Sequence, residues 1–165
     1  MVDLSALTNR ELLDVWTGSL DELHARGVVR TYNNPIGDIA EAIVARHYGG
    51  FRGTFAQAAW DVAVGEELLQ VKACRRATRK TTLEFSPIRH TDGYTALVLV
   101  VFTASMRVKQ AWRIPREAVN MLAKFNKHVN GLKIGLTAEV MSHPGVERLE
   151  LNDDAIDASE PISST

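Results

Sequence analysis

The chain is expected to fold as an α/β domain, with a mixed β-sheet flanked by helices. Three observations predict this. Two segments with helical periodicity, each with its own start and stop signals, occupy the first fifty residues. The segment WDVAVGEELLQVKACRR, residues 60–76, reads as two strands joined by a tight turn. Residues 95–102, TALVLVVF, form a continuous apolar run, the pattern of a central strand covered on both faces.

Thr8 and Glu11 have capping-box spacing ahead of Leu12, Val15, Trp16, Leu20 and Leu23, which predicts a helix over 9–25 ended by Gly27. Asn34 is the expected N-cap of a second helix, with Pro35 at its first position and a stop at Gly49-Gly50. Its apolar stripe is Ile36, Ile39, Ala40, Ile43 and Val44, while Asp38 and Glu41 share a polar face. After the hairpin, strands are expected over 82–85, 95–102 and 106–114. A helix follows over PREAVNMLAKF, then a small strand over 133–136 and a short helix over 137–142. The three tryptophans, Trp16, Trp60 and Trp112, are expected in the core. Residues 1–151 read as one domain, long enough to bury a core. Residues 152–165 are polar, acidic and free of aromatics, and are expected to be a disordered tail.

The hairpin carries the chemistry. Gly65-Glu66 is a Gly-X pair, as a II′ turn requires, because the first turn residue needs a positive φ. Pairing Val64 with Glu67 then sets Asp61 opposite Gln70. Side chains alternate along a strand, so Lys72 joins Asp61 and Gln70 on one face. Directly opposed Cβ atoms stand about 4.5–5.5 Å apart. An acid, an amide and a lysine thus converge, half a site for a divalent cation and a phosphate.

The single cysteine, Cys74, excludes an intrachain disulfide and any cysteine-based metal site, and suits a small buried residue. The five histidines lack metal-ligand spacing. The N-terminus has no signal-peptide pattern, and no apolar run approaches the length of a membrane span, so a cytoplasmic protein without a membrane partner is expected. The net charge of −1 hides an asymmetry. Residues 147–165 carry six acids against Arg148, a net of −5, which leaves +4 on the rest. Lys72, Arg75, Arg76, Arg79 and Lys80 crowd into nine residues, either a nucleic-acid contact or an ordinary solvated loop. Lys124, Lys127, His128 and Lys133 form a second, looser basic group with the same two readings.

The ordered set of helix Glu41, strand Asp61 and strand Gln70-Val71-Lys72 resembles the core of the PD-(D/E)xK, or restriction-endonuclease-like, nuclease superfamily. The Q-x-K triplet is the variant seen in Mrr-like enzymes. The stretch from about Gly27 to Met121 is also similar to an uncharacterised bacterial family of such proteins. That likeness lies in GVVRTYNNPIGDIAEAIVARHYGG, LLQVKACRR and AWRIPREAV. The resemblance implies a restriction-endonuclease-like core with an extra N-terminal helix and a C-terminal appendage. It implies a metal-dependent endodeoxyribonuclease that uses Mg²⁺ or Mn²⁺. Asp61, the side-chain oxygen of Gln70, the backbone carbonyl of Val71 and Glu41, directly or through water, would be the ligands. Lys72 would orient the attacking water and stabilise the developing negative charge. Arg75, Arg76, Arg79 and Lys80 would follow the DNA backbone.

Gln70 in place of an acid removes one negative charge, so a nuclease-like domain that binds nucleic acid, or a partner protein or second copy, without cutting is the alternative. The bland readings of the same residues are an exposed Asp61–Lys72 ion pair, a solvated Gln70 and an exposed helix acid at Glu41.

Overall fold

The computed structural model describes residues 3–54, 59–76, 83 and 85–157. It is an α/β fold built on a mixed six-stranded sheet. Helix α1 (Asn9–Ala25) begins at the predicted capping box, in which Thr8 and Glu11 each bond the other's backbone. Helix α2 (Ile36–Tyr48) starts one residue later than expected. Pro35 is its N-cap, and Asn34 Oδ1 accepts the Ile36 N–H at 3.2 Å. Gly49, at φ 62°, ends it. The Gly50 N–H closes back on the Ala45 carbonyl at 2.8 Å, a Schellman turn.

The strands β1 (Phe51–Arg52), β2 (Val62–Val64), β3 (Glu67–Arg75), β4 (Ala96–Phe102) and β5 (Val108–Pro115) follow in order. Helix α3 (Arg116–Leu122) leads to a separate two-stranded hairpin of β6 (Lys124–Asn126) and β7 (Gly131–Lys133). Helix α4 (Ala138–Ser142) precedes β8 (Glu147–Leu149), which returns to the main sheet. The sheet order is β1-β2-β3-β4-β5-β8. Among the described neighbouring strands of this sheet, β3 and β4 alone pair in parallel. All seven residues of β4 are buried, as a central strand demands.

Strand alternation divides the core in two. Leu69, Val71, Ala96, Val98 and Val100 pack with Ile39, Ala40, Ile43 and Val44 of α2. Leu97, Leu99 and Val101 point the other way and meet Ala118 and Val119 of α3. Gln70, Lys72 and Cys74 therefore share the α3 side of β3. Cys74 is buried, and burial pushes its thiol up to about 11, so it is an inert core residue.

Several expectations need correction. Trp16 is not in the core. It is 53 % exposed beside Leu13 and Val15, and Leu20 is the buried residue of α1. Amphipathic spacing made that face apolar without supplying anything to cover it. The strand expected from residue 60 begins at Val62, and the helix expected through residue 125 stops at Leu122, where β6 takes over. The short strand expected over 82–85 falls largely outside the described residues, as do Arg79 and Lys80. Within the tail expected to be disordered, Asp153–Asp157 form a 3₁₀ turn against α2, with Ile156 on the core. Residues 158–165 lie outside the described part.

Candidate active site

The β2–β3 hairpin turns where the sequence places it. Val64 pairs with Glu67, and φ is +58° at Gly65 but not positive at Glu66, the II′ signature. Asp61 stands just before β2. Its N–H reaches the Leu69 carbonyl at 2.8 Å, and its own carbonyl accepts the Gly53 N–H at 2.9 Å. Its backbone is thus tied to β3 on one side and to the segment after β1 on the other.

The Asp61 carboxylate is equally fixed. Oδ2 accepts the Gln70 side-chain Nε2 at 2.9 Å and the Val71 backbone N–H at 2.7 Å. Oδ1 takes no hydrogen bond among the described residues. An ionised carboxylate only accepts, so Gln70 must present its nitrogen here. Gln70 is 3 % exposed, which replaces the solvated reading with a buried amide whose nitrogen is bonded to Asp61.

Glu41 comes to the same place from α2. With Asp61, Arg30, Asp38 and Trp60 it lines a pocket of about 260 Å³. Its side chain is 13 % exposed, so it is not an ordinary surface acid. Burial and the Asp61 charge push its carboxyl up to about 8, outweighing the opposing pull of Arg30.

Arg30 was not singled out by the sequence, yet it organises this pocket. Its guanidinium bonds Asp38 Oδ1 at 3.2 Å, the Gly53 carbonyl at 2.7 Å and the Glu41 carboxylate. Asp38 Oδ2 also accepts the N–H groups of Arg30 and Thr31 at 2.9 and 3.2 Å. Asp38 therefore holds the loop, whereas Glu41 and Asp61 face each other electrostatically. Arg52 is 2 % exposed and donates to the carbonyls of Gly27 and Val28. That contact fixes the same loop from beneath. The signals for Arg30 and Arg52 are contacts to residues far away in sequence, which no local pattern reveals.

Lys72 lies beyond Gln70 on the same face of β3. The two line a second pocket of about 280 Å³ with Ser86, Pro87, Arg89 and His90. Lys72 makes no ion pair among the described residues, so the Asp61–Lys72 pair is not formed. The site is thus two adjoining pockets, one with Glu41 and Asp61 and one with Gln70 and Lys72. The Gln70–Asp61 hydrogen bond joins them. Arg75 and Arg76 are exposed just past the pockets, at the end of β3.

Among the described residues no cluster of three or more His, Cys, Asp or Glu has metal-binding geometry. The oxygen donors that do meet are the pair Glu41 and Asp61, hard ligands of the kind Mg²⁺ and Mn²⁺ accept. A cation between them would offset the burial and the Asp61 repulsion that together lift Glu41, so this donor pair fits such an ion. No helix among the described residues is long and apolar enough to cross a membrane. No protein-family model matches the chain, and no curated protein is similar enough to count as a relative.

Proposed function

We propose that the chain is a divalent-cation-dependent nuclease that hydrolyses phosphodiester bonds in DNA. One observation carries this reading. Asp61 is locked by Gln70 and Val71 of β3 while sharing a pocket with Glu41 of α2. Glu41 of α2 and Asp61 thus share one pocket, and Lys72 of β3 lines the neighbouring one.

Asp61 and Glu41 would hold the Mg²⁺ or Mn²⁺ ion. When bound, such an ion lowers the pKa of a coordinated water and neutralises phosphate charge. The chain's own residues do the rest. Two N–H donors fix the Asp61 rotamer, so its other oxygen needs no reorganisation when ligand arrives. Gln70 is a positioning residue, turned nitrogen-first toward Asp61. Lys72, with no carboxylate partner among the described residues, offers its ammonium to a phosphate oxygen and stabilises charge that develops there. Arg75 and Arg76 extend the cationic surface along the DNA backbone.

The test is nicking of supercoiled DNA with Mg²⁺ or Mn²⁺. Asp61→Asn and Lys72→Ala should each abolish nicking in protein that remains folded. A second reading, a nuclease-like domain that binds without cutting, is favoured by Arg30, whose guanidinium already occupies the Glu41 carboxyl. Undiminished DNA binding with no cleavage in either metal would select it.

A further inference from the structure

We propose that the β6–β7 hairpin is a second nucleic-acid contact, one that takes a single-stranded segment of the substrate leading away from the Lys72 pocket. The inference rests on the nucleic-acid reading above and names a substrate form that reading leaves open.

The hairpin gathers cations without compensating them. Lys124 and Lys133 are direct cross-strand partners, an arrangement in which like charges destabilise the pair. Lys127 and His128 follow in the connecting 3₁₀ turn and are exposed. No Asp or Glu occurs between Glu117 and Glu139. Lys124, Lys127 and Lys133 have no ion pair among the described residues. A polyanion would supply the missing counter-charge.

The tip is also shaped in advance. Asn126 Oδ1 accepts the His128 N–H at 3.0 Å, and Asn130 adopts φ 46° to close the turn. Phe125, paired with Leu132, points to the face of the hairpin opposite Lys124 and Lys133 and is 61 % exposed. Cations and an exposed aromatic side chain on one small hairpin are the elements of single-strand recognition, because an unpaired base has a face to stack. A paired, stacked base does not.

The hairpin is joined to the site. Ile88 and Leu132 exchange backbone hydrogen bonds at 2.9 and 2.8 Å. Gly131 sits so close to the Ile88 carbonyl and the Pro87 ring that a side chain there would collide with both. Pro87, Arg89 and His90 line the Lys72 pocket. A strand leaving that pocket therefore meets Arg89, His90 and then the hairpin.

The test is fluorescence anisotropy in EDTA, with the full chain, a labelled single-stranded oligonucleotide and its duplex, across a salt series. The parent should bind the single strand more tightly than the duplex. The triple variant Lys124→Ala, Lys127→Ala, Lys133→Ala should flatten the log–log salt slope for the single strand by about two units. The corresponding triple arginine variant should keep it. Phe125→Ala should weaken single-strand binding roughly five- to hundredfold and leave duplex binding nearly unchanged. An alanine triple with the parent's slope, or a Phe125→Ala variant that binds the single strand like the parent, would overturn the inference. So would capture of an acidic peptide in preference to either DNA. Cleavage plays no part in these measurements. A hairpin that binds as expected in a chain that cuts nothing keeps this inference and removes the nuclease reading. Cutting by a chain whose alanine triple binds like the parent does the reverse.

Discussion

The side-chain amide of Gln70 donates to Asp61 Oδ2 at 2.9 Å across the β2–β3 hairpin. This contact decides what an acid at position 70 would do. Gln70→Glu would place a second buried carboxylate within hydrogen-bond distance of the first, where the two cannot both ionise without a cation. The variant should lose about 3 kcal/mol of stability in EDTA. Mn²⁺ at a hundred times its dissociation constant should restore roughly 2.7 kcal/mol. Thermal unfolding with and without Mn²⁺ checks this, and an unmoved midpoint would remove the carboxylates as a cation site.

Asp61 also has a structural task, because its carboxylate satisfies the Val71 N–H. Asp61→Ala leaves that buried donor unpaired and should cost about 1–3 kcal/mol. Asp61→Asn keeps an oxygen acceptor and should stay within about 1 kcal/mol of the parent. Urea unfolding separates the two, and equal losses would show that the hydrogen bond adds nothing.

Glu41 should make stability depend on pH in a particular direction. Its carboxyl lies at about 8 in the folded chain, against an ordinary value of 4.5. The folded state therefore binds the proton more tightly than the unfolded state. The associated stability is complete below pH 4.5, falls as pH rises toward 8, and is gone above it. The difference in unfolding free energy between parent and Glu41→Gln should shift across this window by a few kcal/mol, on the order set by about 1.4 kcal/mol per pH unit. A difference that is flat from pH 5 to 8.5 would contradict the burial and Asp61 repulsion assigned to Glu41.

Two glycines should respond with opposite sign. A Cβ at Gly53 would stand 2.8 Å from the Trp60 ring, which borders the Asp61 pocket. Gly53→Ala should cost about 1–3 kcal/mol through overpacking. Gly18, inside α1, has open space around it, so Gly18→Ala should add about 0.5–1 kcal/mol. Denaturant midpoints of the two variants check both at once.

The hairpin and the central strand were legible because short-range rules govern them. Gly65 is needed at a positive φ, and a short unbroken apolar run rich in β-branched valines suits a strand buried on both faces. The Asp61–Gln70 pairing followed from that turn by counting. β8 was not legible, because the three residues Glu147, Arg148 and Leu149 carry no period. Arg30 was hidden for a different reason. Its three partners, Asp38, Glu41 and Gly53, lie eight, eleven and twenty-three residues away. Trp16 marks the remaining limit, since a helical stripe shows that a face is apolar but not whether anything packs on it.

The two ends of the sheet bear on strand pairing between copies of the chain. One edge is β1, two residues long, and the other is β8, three residues long. β8 covers Ala111, Trp112 and Arg113 of the eight-residue β5. Farther along the same strand, Asp153 Oδ1 takes the Val108 N–H at 2.6 Å. A long, flat border would be a template for intermolecular pairing and fibril growth, and short or plugged borders are how sheets escape it. The acidic stretch near the C-terminus thus acts as a selvedge. Loss of residues from 147 onward would leave β5 as a raw margin on which further chains could stack.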